Sequence, residues 1–255
     1  MKTYTGYLID LDGTMYRGTE EIKEARSFIN RLQQKNIPYL FVTNNSSRTP
    51  EQVAEKLRGF DIAAGAEQVF TTSMATANYI WEKHQQAAVY MIGEEGLHRA
   101  LDERSLTLVE HERADVVVCG IDRQINYEKL ATACLAVRSG ADFISTNGDV
   151  AIPTERGLLP GNGALTSVIA VSTGVKPVFI GKPESIIMEQ ALKVLGTAKE
   201  ATLMVGDNYQ TDILAGIRSG LDTLLVHTGV TQKEHLVHVE QQPVHIRNNL
   251  DEWEV

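Results

Sequence analysis

The sequence predicts an α/β fold, a doubly wound and largely parallel sheet with helices on both faces. Two observations carry this. Short apolar runs alternate with helical patterns from one end of the chain to the other, the order that builds a parallel sheet through crossover connections. The runs are also rich in Val, Ile, Leu and Phe, as strands buried on both faces require.

The expected strands are Tyr7 to Asp10, Tyr39 to Thr43, Ala88 to Gly93, Asp115 to Gly120, Phe143 to Asn147, Val178 to Lys182, Thr202 to Asp207 and Thr223 to Thr228. Between them, Ile22, Ala25, Ile29 and Leu32 share one helical face. Thr49-Pro50-Glu51-Gln52 has the form of a capping box with Pro at the first helical position, followed by Val53, Leu57 and Phe60 on one stripe. Leu130, Cys134 and Val137 mark another helix that Gly140 can end, and Met188, Leu192 and Leu195 repeat the pattern before Gly196. The segment from Thr231 to Val255 is more polar and carries His235, His238 and His245. The His235/His238 pair lacks a third convergent ligand, so the expectation is a solvated final segment and not a metal site.

With 255 residues, 43% hydrophobic and 22% charged, the chain can bury a real core in one large or two smaller domains. Its formal net charge of −9 argues against nucleic-acid binding, which rests on an excess of Lys and Arg. An anionic substrate would then need local positive charge from a metal, a Lys or helix N-termini. Cys119 and Cys134 form no CxxC pattern and read as buried, reduced thiols. No apolar stretch approaches the roughly 18 residues of a membrane span, and the start of the chain has no signal-peptide core. A cytoplasmic protein with no membrane partner is expected.

Four constellations bear chemistry, and three follow an apolar strand, at the edge where open parallel sheets bind ligands. Asp10-Leu11-Asp12-Gly13-Thr14 places two carboxylates two residues apart. In extended chain they point the same way, roughly 7 Å apart, so that one can attack a phosphoryl group while the other handles a proton. Asp-Gly is also a common turn signal, and the motif alone is ambiguous. Phe41-Val42-Thr43-Asn44-Asn45-Ser46-Ser47 ends a strand in hydroxyls and amides suited to phosphate oxygens, or to capping the helix at Thr49. Lys182 in Ile180-Gly181-Lys182-Pro183-Glu184 lies between a strand and a helix, and at the same sheet edge it could neutralise nucleophile and phosphate together. Val205-Gly206-Asp207-Asn208, continuing to Asp212, closes the set. Magnesium takes about six oxygens from few carboxylates, carbonyls and water. Asp10, a backbone carbonyl near Asp12 and Asp207 would suffice, with Asn208 and Asp212 orienting bound water. Asp212 could equally be a helix N-terminal charge.

In this order the motifs resemble those of the haloacid dehalogenase (HAD) superfamily: Asp10 to Thr14, then Thr43-Asn44, then Lys182, then Gly206-Asp207-Asn208 with Asp212. More closely they resemble its subclass IIA, 4-nitrophenylphosphatase-like branch, which includes acid sugar phosphatases. That match rests on Thr43-Asn44-Asn45-Ser46, the long insert between the second and third motifs, Thr146-Asn147-Gly148-Asp149 and Pro160-Gly161-Asn162-Gly163. The resemblance implies a Rossmann-like core over 1–76 and 177–255 and an α/β cap inserted over 77–176. It further implies Asp10 as nucleophile, Asp12 as general acid and then base, and Thr43, Asn44 and Lys182 on the phosphate. Magnesium, held by Asp10, Asp12 and Asp207, is the implied cofactor. Gly161 and Gly163 lack the Lys-Ser/Thr of a P-loop and read as a loop opening a helix.

A receiver module of phosphoryl signalling shares an acidic cluster, a Thr and a Lys on a parallel sheet. Here the nucleophile lies on the first strand, followed by Asp12 and Gly13-Thr14, which favours catalysis. Asp12 also argues against dehalogenation, because a departing halide needs no proton. A phosphomutase and a scaffold with an idle site are further readings compatible with these residues. For substrate, the resemblance points to sugar or sugar-acid phosphates, with nucleotides, pyridoxal phosphate, phosphoglycolate and aryl phosphates open. Asn45, Asp122, Arg123, Asn147 and Asp149 are the specificity candidates, and turn chemistry or solvation is the simpler reading for each. Symmetric pairing of two chains through the cap is compatible with the sequence.

Overall fold

The computed structural model describes residues 2–154 and 156–255. The chain forms two compact units. The first comprises the residues up to Thr43, Pro50–Phe70 and Lys182–Val255, and the second comprises Asn44–Thr49 and Thr71–Gly181.

The first unit holds a six-stranded sheet in the order His245–Arg247, Asp222–Val226, Thr202–Gly206, Gly6–Ile9, Tyr39–Thr43, Val69–Thr71. Gly6–Ile9 runs parallel to both of its neighbours, with Ile9 opposite Val205 on one side and Phe41 on the other. Strand alternation sends Tyr7, Ile9, Phe41, Val205 and Leu224 into one apolar cluster with Phe28, Ile29 and Leu32 of the helix Lys23–Gln34. Val53 and Leu57 of the helix Pro50–Arg58 join the same cluster. The other face packs under the helices Ser185–Leu195 and Leu214–Ser219. A Cβ on Gly216 would lie 3.2 Å from that of Met204, so this helix rides directly on the sheet. Both faces are therefore covered, and the sheet is doubly wound.

The second unit holds a five-stranded parallel sheet in the order Val178–Phe179, Asp142–Ser145, Val116–Cys119, Ala88–Ile92, Thr107–Val109. Its helices are Thr72–Lys83, Glu95–Glu103, Tyr127–Arg138 and Asn162–Thr173, the last opened by Gly161. Cys119 is buried and Cys134 half-buried, and both are free thiols. No helix among the described residues is long and apolar enough to cross a membrane.

Two expectations need correction. Val178–Phe179 pairs with Asp142–Ser145, so the strand before Lys182 belongs to the five-stranded sheet and not to the sheet that carries Asp10. A short apolar run records burial but not which sheet it joins. The final segment is also not simply solvated. His245–Arg247 adds the sheet's edge strand, and Leu236, Leu250 and Trp253 are buried. A few anchors spaced through polar chain were enough to dock it.

Candidate active site

Gly6–Ile9 lies between Thr202–Gly206 and Tyr39–Thr43, the point at which strand order reverses and where open α/β sheets take their ligands. Asp10, Asp207 and Thr43 stand at the carboxyl ends of these three strands, and all three are buried. Extended strand geometry with apolar side chains on both faces fixes the three chain ends. The polar residues then emerge together where the strands stop.

One oxygen each from Asp10, Asp207 and Asp212 lie within 4.8 Å of one another. Lys182, only 2% exposed, is the cation among them. Its Nζ donates to Asp10 Oδ1, to Asp212 Oδ1 at 2.7 Å and to the Val42 carbonyl at 3.0 Å. Lys182 thus reaches the sheet edge from the loop before the helix Ser185–Leu195, not from a strand of that sheet. Asp212 Oδ2 accepts from the Asn208 backbone N–H at 3.0 Å, and the Asn208 side chain caps the π-helical turn Tyr209–Ile213 through the Gln210 N–H. That turn delivers Asp212 back against the strand end. A Cβ on Gly206 would stand 2.3 Å from that of Asp212, so only glycine fits.

Asp207 is held by both oxygens. Oδ1 accepts from the Thr14 hydroxyl at 3.1 Å, and Oδ2 from the Val230 N–H at 2.7 Å. The loop 228–231 wraps this carboxylate: Thr228 Oγ1 donates to the Gly13 carbonyl, and the Thr231 N–H donates to the Asp207 carbonyl. A Cβ on Gly229 would fall 2.0 Å from Asp207 Oδ2. Sequence reasoning assigned no role to this loop or to Thr14. Only the adjacency of the strands that precede them reveals the cradle.

Electrostatics follow from burial. Asp10 is pushed well above the usual carboxylate range, first by desolvation and then by Asp212, with Lys182 opposing. Asp207 rises to about 6, again through burial first and Asp212 second. Burial pulls the Lys182 ammonium down, but Asp10 and Asp212 outweigh it and keep the lysine charged. Three carboxylates against one ammonium leave a net charge of two negatives when all are ionised. A buried site of this charge, lined by hard oxygen donors, fits a divalent cation such as magnesium.

Asp12 differs from its neighbours. Its side chain is exposed, and Oδ1 accepts from the Gly18 N–H at 3.3 Å across the hairpin Tyr16–Arg17/Glu20–Glu21. Directly after Asp12 the chain turns at Gly13, whose φ is +93°. The carboxylate is thus outside the buried cluster and accessible for proton transfer.

The remaining candidates lie in the second unit. Asn44 Nδ2 donates to both oxygens of Asp149, at 3.3 and 3.2 Å, and Asn147 Nδ2 donates to the Asn44 carbonyl at 2.8 Å. Asn45 Oδ1 accepts from the Ser47 and Arg48 N–H groups and so shapes its own loop. Asp122 is buried against Lys129 at 2.6 Å and caps the Gln124 N–H. Arg123 is paired with Glu94 at 2.6 Å.

Comparison with known proteins adds to this geometry. The family described as haloacid dehalogenase-like hydrolase matches residues 7–107, and a related HAD-hydrolase-like family matches residues 179–253. The chain is 67% identical to the 5'-nucleotidase YutF of Bacillus subtilis over 99% of its own length and 98% of that protein. It is 56% identical to an acid sugar phosphatase of Staphylococcus aureus, covering 99% of this chain and 97% of that one. Among solved structures, a double mutant of a thermostable NPPase from Geobacillus stearothermophilus superposes with a TM-score of 0.94 at 63% identity, covering 100% and 99% of the two chains. The p-nitrophenyl phosphatase of Archaeoglobus fulgidus gives a TM-score of 0.91 at 34% identity, covering 98% and 97%.

Proposed function

The chain belongs to the haloacid dehalogenase superfamily, and from that membership we propose that it hydrolyses small phosphate monoesters through a phosphorylated Asp10. The observation that supports the reading best is the buried Asp10–Lys182–Asp212 arrangement beside Asp207, at the ends of adjacent parallel strands. The relatives named 5'-nucleotidase and acid sugar phosphatase support the same reaction class.

In this reading Asp10 attacks phosphorus in line, and the bond from phosphorus to the ester oxygen breaks. Asp12 gives its proton to the departing alcohol. It then takes a proton from the water that cleaves the acyl phosphate, which releases inorganic phosphate and restores Asp10 as a carboxylate and Asp12 as the acid. Thr43, Asn44 and Lys182 bind the phosphoryl oxygens. Asp10, Asp207 and the Asp12 carbonyl would hold magnesium, with Asp212 and Asn208 supporting from outside. The bound ion would neutralise charge on the phosphate and the nucleophile. Uncatalysed hydrolysis of phosphate monoesters is so slow that enhancements reach about 10²¹. Fixed charges and donors must therefore supply much of the effect.

For substrate we propose sugar or sugar-acid phosphates. Nucleoside monophosphates are a second reading, favoured by the 67% identity to a protein named 5'-nucleotidase. A phosphate-release screen over metabolite esters, with and without magnesium, decides between them. Absence of magnesium-dependent release from every ester would overturn the phosphatase reading itself.

A further inference from the structure

Asn44 is held from two sides by one loop. After the strand Asp142–Ser145 the chain turns through Thr146, Asn147, Gly148 and Asp149. Asp149 presents both carboxylate oxygens to the Asn44 amide, at 3.2 and 3.3 Å. Asn147, only 4% exposed, uses Nδ2 on the Asn44 carbonyl at 2.8 Å and Oδ1 on the Asp149 N–H at 3.1 Å. Both polar ends of Asn147 are therefore committed within this loop. The loop is itself anchored from below by Asn162, 2% exposed, whose Nδ2 donates to the Asn147 carbonyl at 2.9 Å and to Ser145 Oγ at 3.0 Å. The Gly163 N–H holds the Asp149 carbonyl at 2.8 Å. The region is tightly filled: a Cβ on Gly181 would lie 2.6 Å from Asn44 Oδ1 and 2.7 Å from the Thr146 carbonyl.

We infer that Asp149, braced by Asn147 and Asn162, is a positioning residue that orients Asn44, and that it does not select the leaving group. The inference rests on the proposed phosphate-binding role of Asn44. A charge-assisted hydrogen bond to both carboxylate oxygens fixes the plane of the Asn44 amide, and the bond from Asn147 fixes the peptide that follows it. Phosphate binding then draws on an amide already in place, at no ordering cost. A carboxylate near a phosphate site would otherwise repel the anion. Positioning and repulsion therefore predict opposite signs for removal of Asp149.

The experiment measures kcat/KM for an aryl phosphate, a hexose phosphate and a nucleoside monophosphate, together with inhibition by inorganic phosphate. It uses wild type, Asp149→Ala, Asp149→Asn, Asn44→Ala and the double variant Asn44→Ala/Asp149→Ala, each checked for cooperative melting. Asp149→Ala is expected to lower kcat/KM by about tenfold or more, by the same factor for all three esters, and to weaken phosphate inhibition. Asp149→Asn keeps an acceptor oxygen and is expected to recover most of the loss. The double variant should be no worse than Asn44→Ala alone, as for two residues acting as one unit. If Asp149→Ala does not fold, Asp149→Ser provides the same arm. A loss that differs between esters, a tighter grip on inorganic phosphate, or additive losses in the double variant would each overturn the inference. Full activity in Asn44→Ala would remove its premise and overturn it too. The phosphatase reading is tested separately by Asp10→Asn.

Discussion

Lys182 bridges Asp10 and Asp212 with a single buried ammonium, although 172 residues separate it from Asp10 and 30 from Asp212. The bridge sets the charge balance of the site. It holds one oxygen of Asp10 and leaves the carboxylate group as a whole short of positive charge. A divalent ion and the substrate phosphate would enter a site already arranged for opposite charges.

Replacing Asp10 with Asn tests the nucleophile. The amide keeps the volume and can still face Lys182, so melting should stay within a few degrees of wild type. Turnover should fall by about four orders of magnitude or more, as when a covalent nucleophile is lost. Near-normal phosphate release by folded Asp10→Asn protein would remove Asp10 from the mechanism.

Lys182→Met tests the bridge. It strands buried carboxylates without their cation, and breaking a buried pair on one side costs about 3–5 kcal/mol. Chemical denaturation should show a loss of that order in metal-free protein, with magnesium restoring part of it. An unchanged unfolding midpoint would mean that the ammonium contributes little to holding the cluster together.

Removing the metal should expose a pH dependence of known sign. Asp207 rises from the ordinary 3.8 to about 6 in the fold. The folded state therefore holds its proton more tightly than the unfolded chain does. The contribution is fully present below about pH 4 and is lost as pH rises through 6. Metal-free protein should lose stability across that window, and Asp10, shifted in the same direction, adds to it. Magnesium would bind the ionised form, so its stabilisation, about 2.7 kcal/mol at a hundred times Kd, should be large at pH 7.5 and shrink towards pH 5. Thermal melts with EDTA or magnesium at both pH values measure this. An increment independent of pH would separate the ion from these carboxylates.

The order of polar residues after apolar strands made the centre of the site readable in the sequence. Asp10, Thr43 and Asp207 needed only the rule that parallel strands end together. The Asp207 cradle was not readable, because Thr14, Gly229 and Val230 matter through a close approach that no local pattern encodes. Sheet membership was equally hidden: Val178 and Phe179 have strand chemistry whichever edge they join. The polar tail misled for the opposite reason. Its edge strand His245–Arg247 is only three residues long, and its anchors are single side chains set among solvated ones.

Trp253 is the strongest of those anchors, two residues from the end of the sequence. It is 2% exposed, its Nε1 donates to the Tyr7 hydroxyl at 3.3 Å, and its ring lies 4.7 Å from that of His245. Arg31 fastens the same turn through the carbonyls of Leu250, at 2.7 Å, and Trp253, at 3.3 Å. The indole thus ties the final turn to the first strand and to the edge strand, and Arg31 ties the same turn to the helix Lys23–Gln34. Trp253→Ala should cost about 3–5 kcal/mol, the range for emptying a large aromatic site in a core. Equilibrium urea unfolding measures the loss. Magnesium-dependent turnover of the protein that remains folded should be close to normal, because Trp253 packs near the start of the first strand and Asp10 follows its end. A stability change below about 1 kcal/mol would return the tail to the solvated segment that its composition suggests.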